Sequence, residues 1–526
     1  MVIPKKKQNT PLDFKADLWD CANKLRNQMD AAEYKHLVLG LIFLKYISDS
    51  FVEQQKKVME MISNPKNIEF YLEPELREEA LEDKDYYEQD VIFWVPPKAR
   101  WEYIQKNAKV PKIFNEGQLI DEALVSIENE NPSLKGKLDK RFTAALLEPG
   151  TKGQLVDVIS KIGFNSNEKD RDILGEVYEY FLGKFAVLEG KNAGSFYTPS
   201  HVVKLLVAIL SPNKGRVYDP CCGSGGMFVQ SEDFIRNHGG KLDDISIYGQ
   251  ESNPTTWRLA AINLAIRGIS ANLGKEPRDT FAADQHTDQK FDYILANPPF
   301  NISDWSGEKY DNDPRWAYGR PPVGNANFAW LQHILWKLRP GGQAGIVLAN
   351  GSMSSNTSNE GNIREEMIRK DVVEVMVALP AQLFVNTQIP VCLWFLTNDK
   401  TQKGRDRKGE TLFIDARQMG TMKNRVERIL TDKDISKIAD TVDSWRNKED
   451  FVGVEGFCHN ANFEEIERNG FILIPGRYVG TLEEEDDDES FDEKMKKLTF
   501  LLKEQQEEGA KLDKQISNHL KRIGYG

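Results

Sequence analysis

Cysteine is scarce in this 526-residue chain, which has only Cys21, Cys221, Cys222, Cys392 and Cys458. Only Cys221 and Cys222 lie close together, and adjacent residues cannot give the two-residue spacing of a zinc knuckle. The odd count argues against a disulfide framework. The expectation is reduced thiols and no metal. Long apolar runs are missing as well. The longest in the N-terminal part, 37–47, is broken by Gly40 and Lys45 and is too short to span a bilayer. The opening Lys5-Lys6-Lys7-Gln8-Asn9-Thr10 has no apolar stretch behind its charges and does not read as a secretory signal. These absences lead us to expect a cytoplasmic protein with no membrane contact. No glycine-rich loop ends in Lys-Ser or Lys-Thr, so no ATPase motor of that type is indicated. Positive charge is short too, with a formal net charge of −12. A chain that grips nucleic acid alone is more often basic, so a second chain is expected to supply much of any such grip.

What is present is the composition of a soluble globular protein, 40% hydrophobic and 29% charged. The length calls for two or three domains. Residues 1–165 read as helical. Leu18, Leu25, Met29, Leu37, Leu41, Leu44 and Ile47 recur near a 3.6-residue period over 17–49. Further helices are expected over 117–130 and 152–162, with a long aromatic-bearing loop at 86–101. Within 166–480, short apolar runs alternate with amphipathic segments. Strands are expected at 216–218, 245–249, 291–296, 344–348, 372–379 and 391–397. Helices are expected at 202–210, 254–267 and 326–338. This alternation indicates an α/β domain with a mostly parallel sheet. Beyond it come a charged turn at 400–409, a helix at 435–445 and a strand-like stretch at 471–479. Residues 481–526 comprise an acidic run, 483–489, read as a linker, and a polar helix. Leu498, Leu501, Leu512, Ile516 and Ile523 make a sparse stripe on that helix, either a seam for a partner helix or a fraying terminus.

Four groups of residues carry chemistry. Asp219-Pro220-Cys221-Cys222-Gly223-Ser224-Gly225-Gly226 follows the first strand. Its small residues allow either close approach of a nucleotide-type cofactor or simply a tight turn. Glu251 ends the second strand, where an acidic side chain accepts from both ribose hydroxyls or serves as a helix N-terminal charge. Asp284, after a third weak strand, is a candidate acceptor for an adenine amino group or a surface-loop residue. Asn297-Pro298-Pro299-Phe300 is more specific. It follows a strand directly, at the sheet edge where α/β proteins bind ligands. The Asn side-chain oxygen and the Pro298 carbonyl can both accept from one planar NH2 group, and Phe300 can stack on the ring that bears it. Two acceptors localise the amine's lone pair for attack on a methyl group, so the work is positioning and electrostatics. Upstream, Ser195-Phe196-Tyr197-Thr198-Pro199-Ser200 precedes a helix start.

In this order the motifs resemble those of the amino-methyltransferases. Across nearly the whole chain they resemble the modification subunit of type I restriction–modification systems. Leu18-Trp19, Leu41-Ile42-Phe43-Leu44-Lys45-Tyr46-Ile47-Ser48, Asn327-Phe328-Ala329-Trp330, Arg339-Pro340-Gly341-Gly342-Gln343-Ala344 and Ile474-Pro475-Gly476-Arg477-Tyr478-Val479 extend the match. The resemblance implies a Rossmann-like S-adenosylmethionine-dependent methyltransferase domain at 166–480. An all-helical domain would lie before it, and a helical tail for partner docking would follow. Ser195 to Ser200, Asp219 and Gly223 to Gly226 would hold S-adenosylmethionine, Glu251 its ribose and Asp284 its adenine. Asn297, Pro298, Pro299 and Phe300 would hold a flipped adenine of double-stranded DNA for N6 methylation. A separate specificity subunit would read the sequence, with two copies of this chain per specificity subunit, and a separate restriction subunit would cut. Cytosine N4 and a protein glutamine amide also present a planar NH2 to the same four residues, and a catalytically silent scaffold is the reading from another class.

Overall fold

The computed structural model describes residues 31–88, 92–108, 116–145, 151–161, 198–237, 244–384, 389–402 and 404–480. It also describes Met495, Thr499, Lys503, Gln506, Lys511, Ile516 and His519. Two compact units divide at Val479 and Gly480.

Near the N-terminus, α1 (Ala31–Ser63), α2 (Trp101–Asn107), α3 (Glu116–Glu130) and α4 (Thr151–Ile159) enclose one apolar core. Leu37, Leu41, Leu44 and Ile47 are buried in it, as the helical period requires. Leu18, Leu25 and Met29 lie outside the described residues. The 86–101 stretch differs from the expected loop. Tyr87 stacks on Phe51 at 4.6 Å, Trp94 meets both rings edge-on, and Val95 and Trp101 are buried. The prolines prevent regular structure there, while the aromatics supply core. This core extends to Leu259, Ile262 and Ile266 of the α/β part.

Among the described residues, the α/β part places nine strands in one sheet: β1 (Gly215–Asp219), β2 (Ile245–Gly249), β3 (Ala271–Asn272), β4 (Phe291–Ala296), β5 (Leu338–Ala349), β6 (Val373–Ala378), β7 (Val391–Thr397), β8 (Glu410–Asp415) and β11 (Cys458–Asn462). Their order is β11-β8-β6-β7-β5-β4-β1-β2-β3. The β5-β4-β1-β2-β3 half is parallel throughout, whereas β7 is antiparallel to both β5 and β6, and β11 is antiparallel to β8. The sheet is therefore mixed. Helices α5 (Ser200–Leu210), α6 (Gly226–Asn237), α7 (Pro254–Ile266), α8 (Asn327–Lys337), α9 (Glu360–Arg369), α10 (Asp432–Asn447) and α11 (Phe463–Arg468) accompany it. A short hairpin, β9 (Thr421–Met422) with β10 (Arg428–Ile429), stands apart from the sheet. The stretch 471–479 is not a strand. Phe471 has φ +55°, Pro475–Arg477 is a 3-10 turn, and Tyr478 stacks on Phe413 of β8 at 3.8 Å. Its apolar residues pack onto the sheet instead of joining it.

A buried ionic cluster locks α10 to the sheet. Glu374 of β6 accepts from Arg446 at 2.7 Å and Arg407 at 3.1 Å, and Arg446 also donates to the Ile209 carbonyl at the end of α5. Burial raises the Glu374 pKa, but the arginines more than offset this and hold it below the usual range. Among the described residues, no helix is long and apolar enough to cross a membrane. In the second unit, described Met495 and Ile516 are helical and exposed. Leu498, Leu501, Leu512, Ile523 and the acidic run lie outside the described residues.

Candidate active site

The strand order reverses at β1, which lies between β4 and β2. Ligand crevices in α/β sheets open at such a point, beyond the carboxyl ends of the strands. The glycine loop and the Asn-Pro-Pro-Phe run leave β1 and β4 at that edge.

After β1, the Gln250 N–H donates to the Asp219 carbonyl (3.0 Å) and the Cys222 N–H to the Gln250 carbonyl (2.9 Å), so the loop hugs the end of β2. Gly223 and Gly225 have φ of +53° and +81°, a region open to glycine at little cost. A Cβ added to Gly223 or Gly226 would meet nothing within 4 Å, so these positions face open space. Glu251 fixes this loop: one carboxylate oxygen accepts from Gly223 N (3.1 Å), the other from Asn253 N (2.8 Å). Asn263 of α7 donates to the Ser224 carbonyl (2.8 Å). Asp219 is buried and accepts from Cys221 N (3.0 Å). Burial pushes its pKa up to about 7, against the lowering effect of that N–H. Two carboxylates flanking an open glycine loop suit a small molecule that carries both an ammonium and a ribose.

Asp284 is engaged elsewhere. Its carboxylate accepts from Lys337 Nζ (2.7 Å) and His286 N (2.9 Å). Burial pushes its pKa up, but the Lys337 hydrogen bond and charge bring the net shift below the usual value. Asp279, a residue the sequence did not single out, also lies beside the cradle. The Arg278 N–H donates to the Glu251 carbonyl (3.0 Å), and the Thr280 hydroxyl donates to the Pro220 carbonyl (2.6 Å). Between these two stitches, the exposed Asp279 caps the N–H groups of Phe281 and Ala282.

Beyond β4, Asn297 donates from Nδ2 to Thr198 Oγ1 at 2.8 Å. Its Oδ1 is buried and has no partner among the described residues. A buried acceptor left unmatched costs about 1–3 kcal/mol, which the site recovers only when a donor enters. Phe300 is half-buried and meets Phe384 edge-on at 6.1 Å. Asn301, at φ +53°, exchanges hydrogen bonds with Asn327 at the start of α8: the Asn301 N–H donates to Oδ1 (3.1 Å), and Nδ2 donates to Asn301 Oδ1 (2.8 Å). This pair fixes the exit of the Pro-Pro turn, and only the Asn preference for left-handed backbone hints at it in sequence. Thr198 and Pro199 lie beside Asn297 and at the α5 N-terminus respectively. Ser200 begins α5, while Ser195, Phe196 and Tyr197 lie outside the described residues.

Residues 169–487 match the N-6 DNA methylase family model, and residues 14–162 match the HsdM N-terminal domain. The chain belongs to the N-6 DNA methylase family. It is 50% identical to the type I restriction enzyme HindI methylase subunit of Haemophilus influenzae, over 82% of this chain and all of the relative. It is 39% identical to the MjaIX methylase subunit of Methanocaldococcus jannaschii, over 98% and 92%. The crystal structure of a type I restriction–modification methyltransferase subunit from Streptococcus thermophilus superposes with TM-score 0.71 at 27% identity, covering 90% of this chain and 100% of that one. The chain is thus a type I methylase subunit and an adenine-specific DNA methyltransferase with a Rossmann-like S-adenosylmethionine-dependent fold. This settles the substrate question that the Asn-Pro-Pro-Phe run alone left open, in favour of adenine over cytosine or glutamine.

Proposed function

We propose that this subunit methylates N6 of an adenine flipped out of duplex DNA, at a site chosen by a separate specificity subunit. Two copies would assemble on one specificity subunit, with a restriction subunit joining the full complex. The unpartnered Oδ1 of Asn297 is the observation that carries this reading. Asn297 Oδ1 and the Pro298 carbonyl accept the two amino hydrogens, drawing the nitrogen towards tetrahedral geometry and its lone pair out of conjugation with the ring. Thr198 holds the Asn297 amide with its nitrogen turned away, so that the oxygen is presented to the base. Pro299 stiffens the turn. Phe300 stacks on the base and offsets part of the few kcal/mol spent on unstacking it. The amino proton becomes acidic on alkylation and leaves to water.

The cofactor, S-adenosylmethionine, supplies the electrophilic methyl. Gly223 to Gly226 would hold its methionine end, with Asp219 meeting the ammonium. Glu251 would take the ribose. For the adenine amino group, the engagement of Asp284 by Lys337 favours Asp279 as acceptor, with Asp284 buttressing the loop between them. The exposed Ile516 accords with the tail as a docking element for the specificity subunit.

Base-resolved methylation sequencing of DNA from cells carrying this chain and its specificity subunit tests the reading. N6-methyladenine at one defined sequence, lost with Asn297→Ala, is the expected result. Unmodified adenine throughout would refute it.

A further inference from the structure

The β9–β10 hairpin is not explained by the chemistry above, yet it is tied to segments that carry site residues. The Arg428 N–H donates to the Gln382 carbonyl (2.9 Å), two residues before Phe384, the ring that meets Phe300. On its other side, Lys423 and Glu427 lie close enough to His201 to influence its charge, and His201 is on the first turn of α5, three residues beyond Thr198. The hairpin is thus bracketed by neighbours of Phe300 and of Asn297.

Its tip is preformed. Asn424 Oδ1 accepts from Val426 N and Glu427 N, both at 2.9 Å, and Lys423 N donates to the Glu427 carbonyl (2.9 Å). Arg428 donates back to the Met419 and Gly420 carbonyls. Its composition opposes that of the chain. Residues 417–428 carry Arg417, Lys423, Arg425 and Arg428 against Glu427 alone, whereas the whole chain has 69 basic residues to 81 acidic. Lys423 is exposed, and its ion pair with Glu427 (3.2 Å) lies at the surface, where such a pair is weak and readily exchanged. Arg425 is exposed with no side-chain partner among the described residues. Met422 and Val426 stand 44% and 64% exposed beside them. Apolar side chains are normally kept off an exposed polar tip, and here Met422 and Val426 flank the two cations.

We propose that this hairpin grips the DNA backbone beside the flipped adenine. Lys423 and Arg425 contact phosphates, and Met422 and Val426 cover the sugar faces exposed when the base leaves the stack. The proposal rests on the DNA adenine reading above. It commits to duplex DNA because the cations sit on a hairpin hydrogen-bonded to Gln382, two residues before Phe384, and phosphates flank every flipped nucleotide. Such contacts position the duplex without reading sequence.

The test uses the complete complex with its specificity subunit, a duplex bearing the site found by methylation sequencing, and Lys423→Gln/Arg425→Gln. Two lost phosphate contacts should make the plot of log affinity against log salt shallower by about 2 and weaken binding about tenfold to a hundredfold at moderate salt. S-adenosylmethionine affinity, site preference and complex assembly should stay unchanged. Lys423→Arg/Arg425→Lys should restore binding. An unaltered salt slope with full methylation overturns the proposal. So does loss of complex assembly, which would make the hairpin a protein-docking element. If the wild-type complex methylates no adenine, the underlying reading fails instead.

Discussion

The turn after β1 is built from glycine and the turn after β4 from proline, although the two strands are neighbours and both turns open at the same edge. The first is flexible by composition, and the surrounding protein holds it. Glu251, Asn263 and Gln250 satisfy its backbone, and its open side faces outward. The second is rigid by composition, and one of its acceptors, Asn297 Oδ1, has no partner among the described residues. Binding a cofactor calls for shape, which satisfied hydrogen bonds maintain. Acting on an amine calls for an acceptor that has no other partner until the substrate arrives.

Asn297→Ala breaks the contrast most severely. The glycine turn is untouched, so S-adenosylmethionine affinity by calorimetry should hold. Tritiated-methyl transfer should fall by about 10²–10³-fold, the scale of one lost transition-state contact of about 3–4 kcal/mol. Equal losses in cofactor affinity and turnover would mean the two turns are not separable.

Thr198→Val comes next. It removes the acceptor for Asn297 Nδ2 and lets the amide rotate, leaving a donor where the acceptor belongs. A broken, partly buried hydrogen bond costs about 1–3 kcal/mol, so kcat should drop about tenfold. The cofactor KM should stay flat, and Thr198→Ser should recover most of the rate. A rise in cofactor KM with kcat intact would instead assign Thr198 to the methionine end.

The contrast also explains what could be read from sequence. The strands at 245–249, 291–296 and 391–397 coincide with β2, β4 and β7; the central β4 and β7 are nearly continuous apolar runs, and β2 shows its alternation of apolar and polar residues. The edge strand β11, Cys458–Asn462, is too polar to announce itself. The glycines and prolines of the two turns are local signals, and they were legible. The contacts that make them a site join residues far apart: Thr198 with Asn297, Asn301 with Asn327, and Lys337 with Asp284. No spacing rule reports such pairs. The Lys337 partner of Asp284, fifty-three residues away, is one such contact that only the fold brings into view.

Gly225→Ala tests the glycine side. A Cβ at φ +81° costs about 1–2 kcal/mol, while Leu264, at 3.4 Å, would be in ordinary contact with it. Cofactor affinity should weaken about fivefold to tenfold, with kcat at saturating cofactor unchanged. A loss of kcat with affinity intact would show that the glycine turn also shapes the base pocket.

The smallest effect is a dependence on pH. Burial raises the Asp219 pKa from 3.8 to about 7. Between these values the folded chain holds a proton that the unfolded chain has released. Its contribution to stability is therefore complete below 3.8 and is lost as pH climbs through about 7. Glu232, raised by burial to about 7, acts in the same direction, so the informative quantity is the difference between wild type and Asp219→Asn. Cofactor binding should run the other way, because an ammonium prefers the ionised carboxylate. Between pH 6 and 8 the charged fraction of Asp219 rises from about one tenth to about nine tenths, and cofactor affinity should rise by up to about tenfold with it. Asp219→Asn should bind weakly and without that slope. A variant that keeps the slope would assign the titration to another group, such as Glu251, whose pKa burial also raises, and would overturn the claim that Asp219 meets the ammonium.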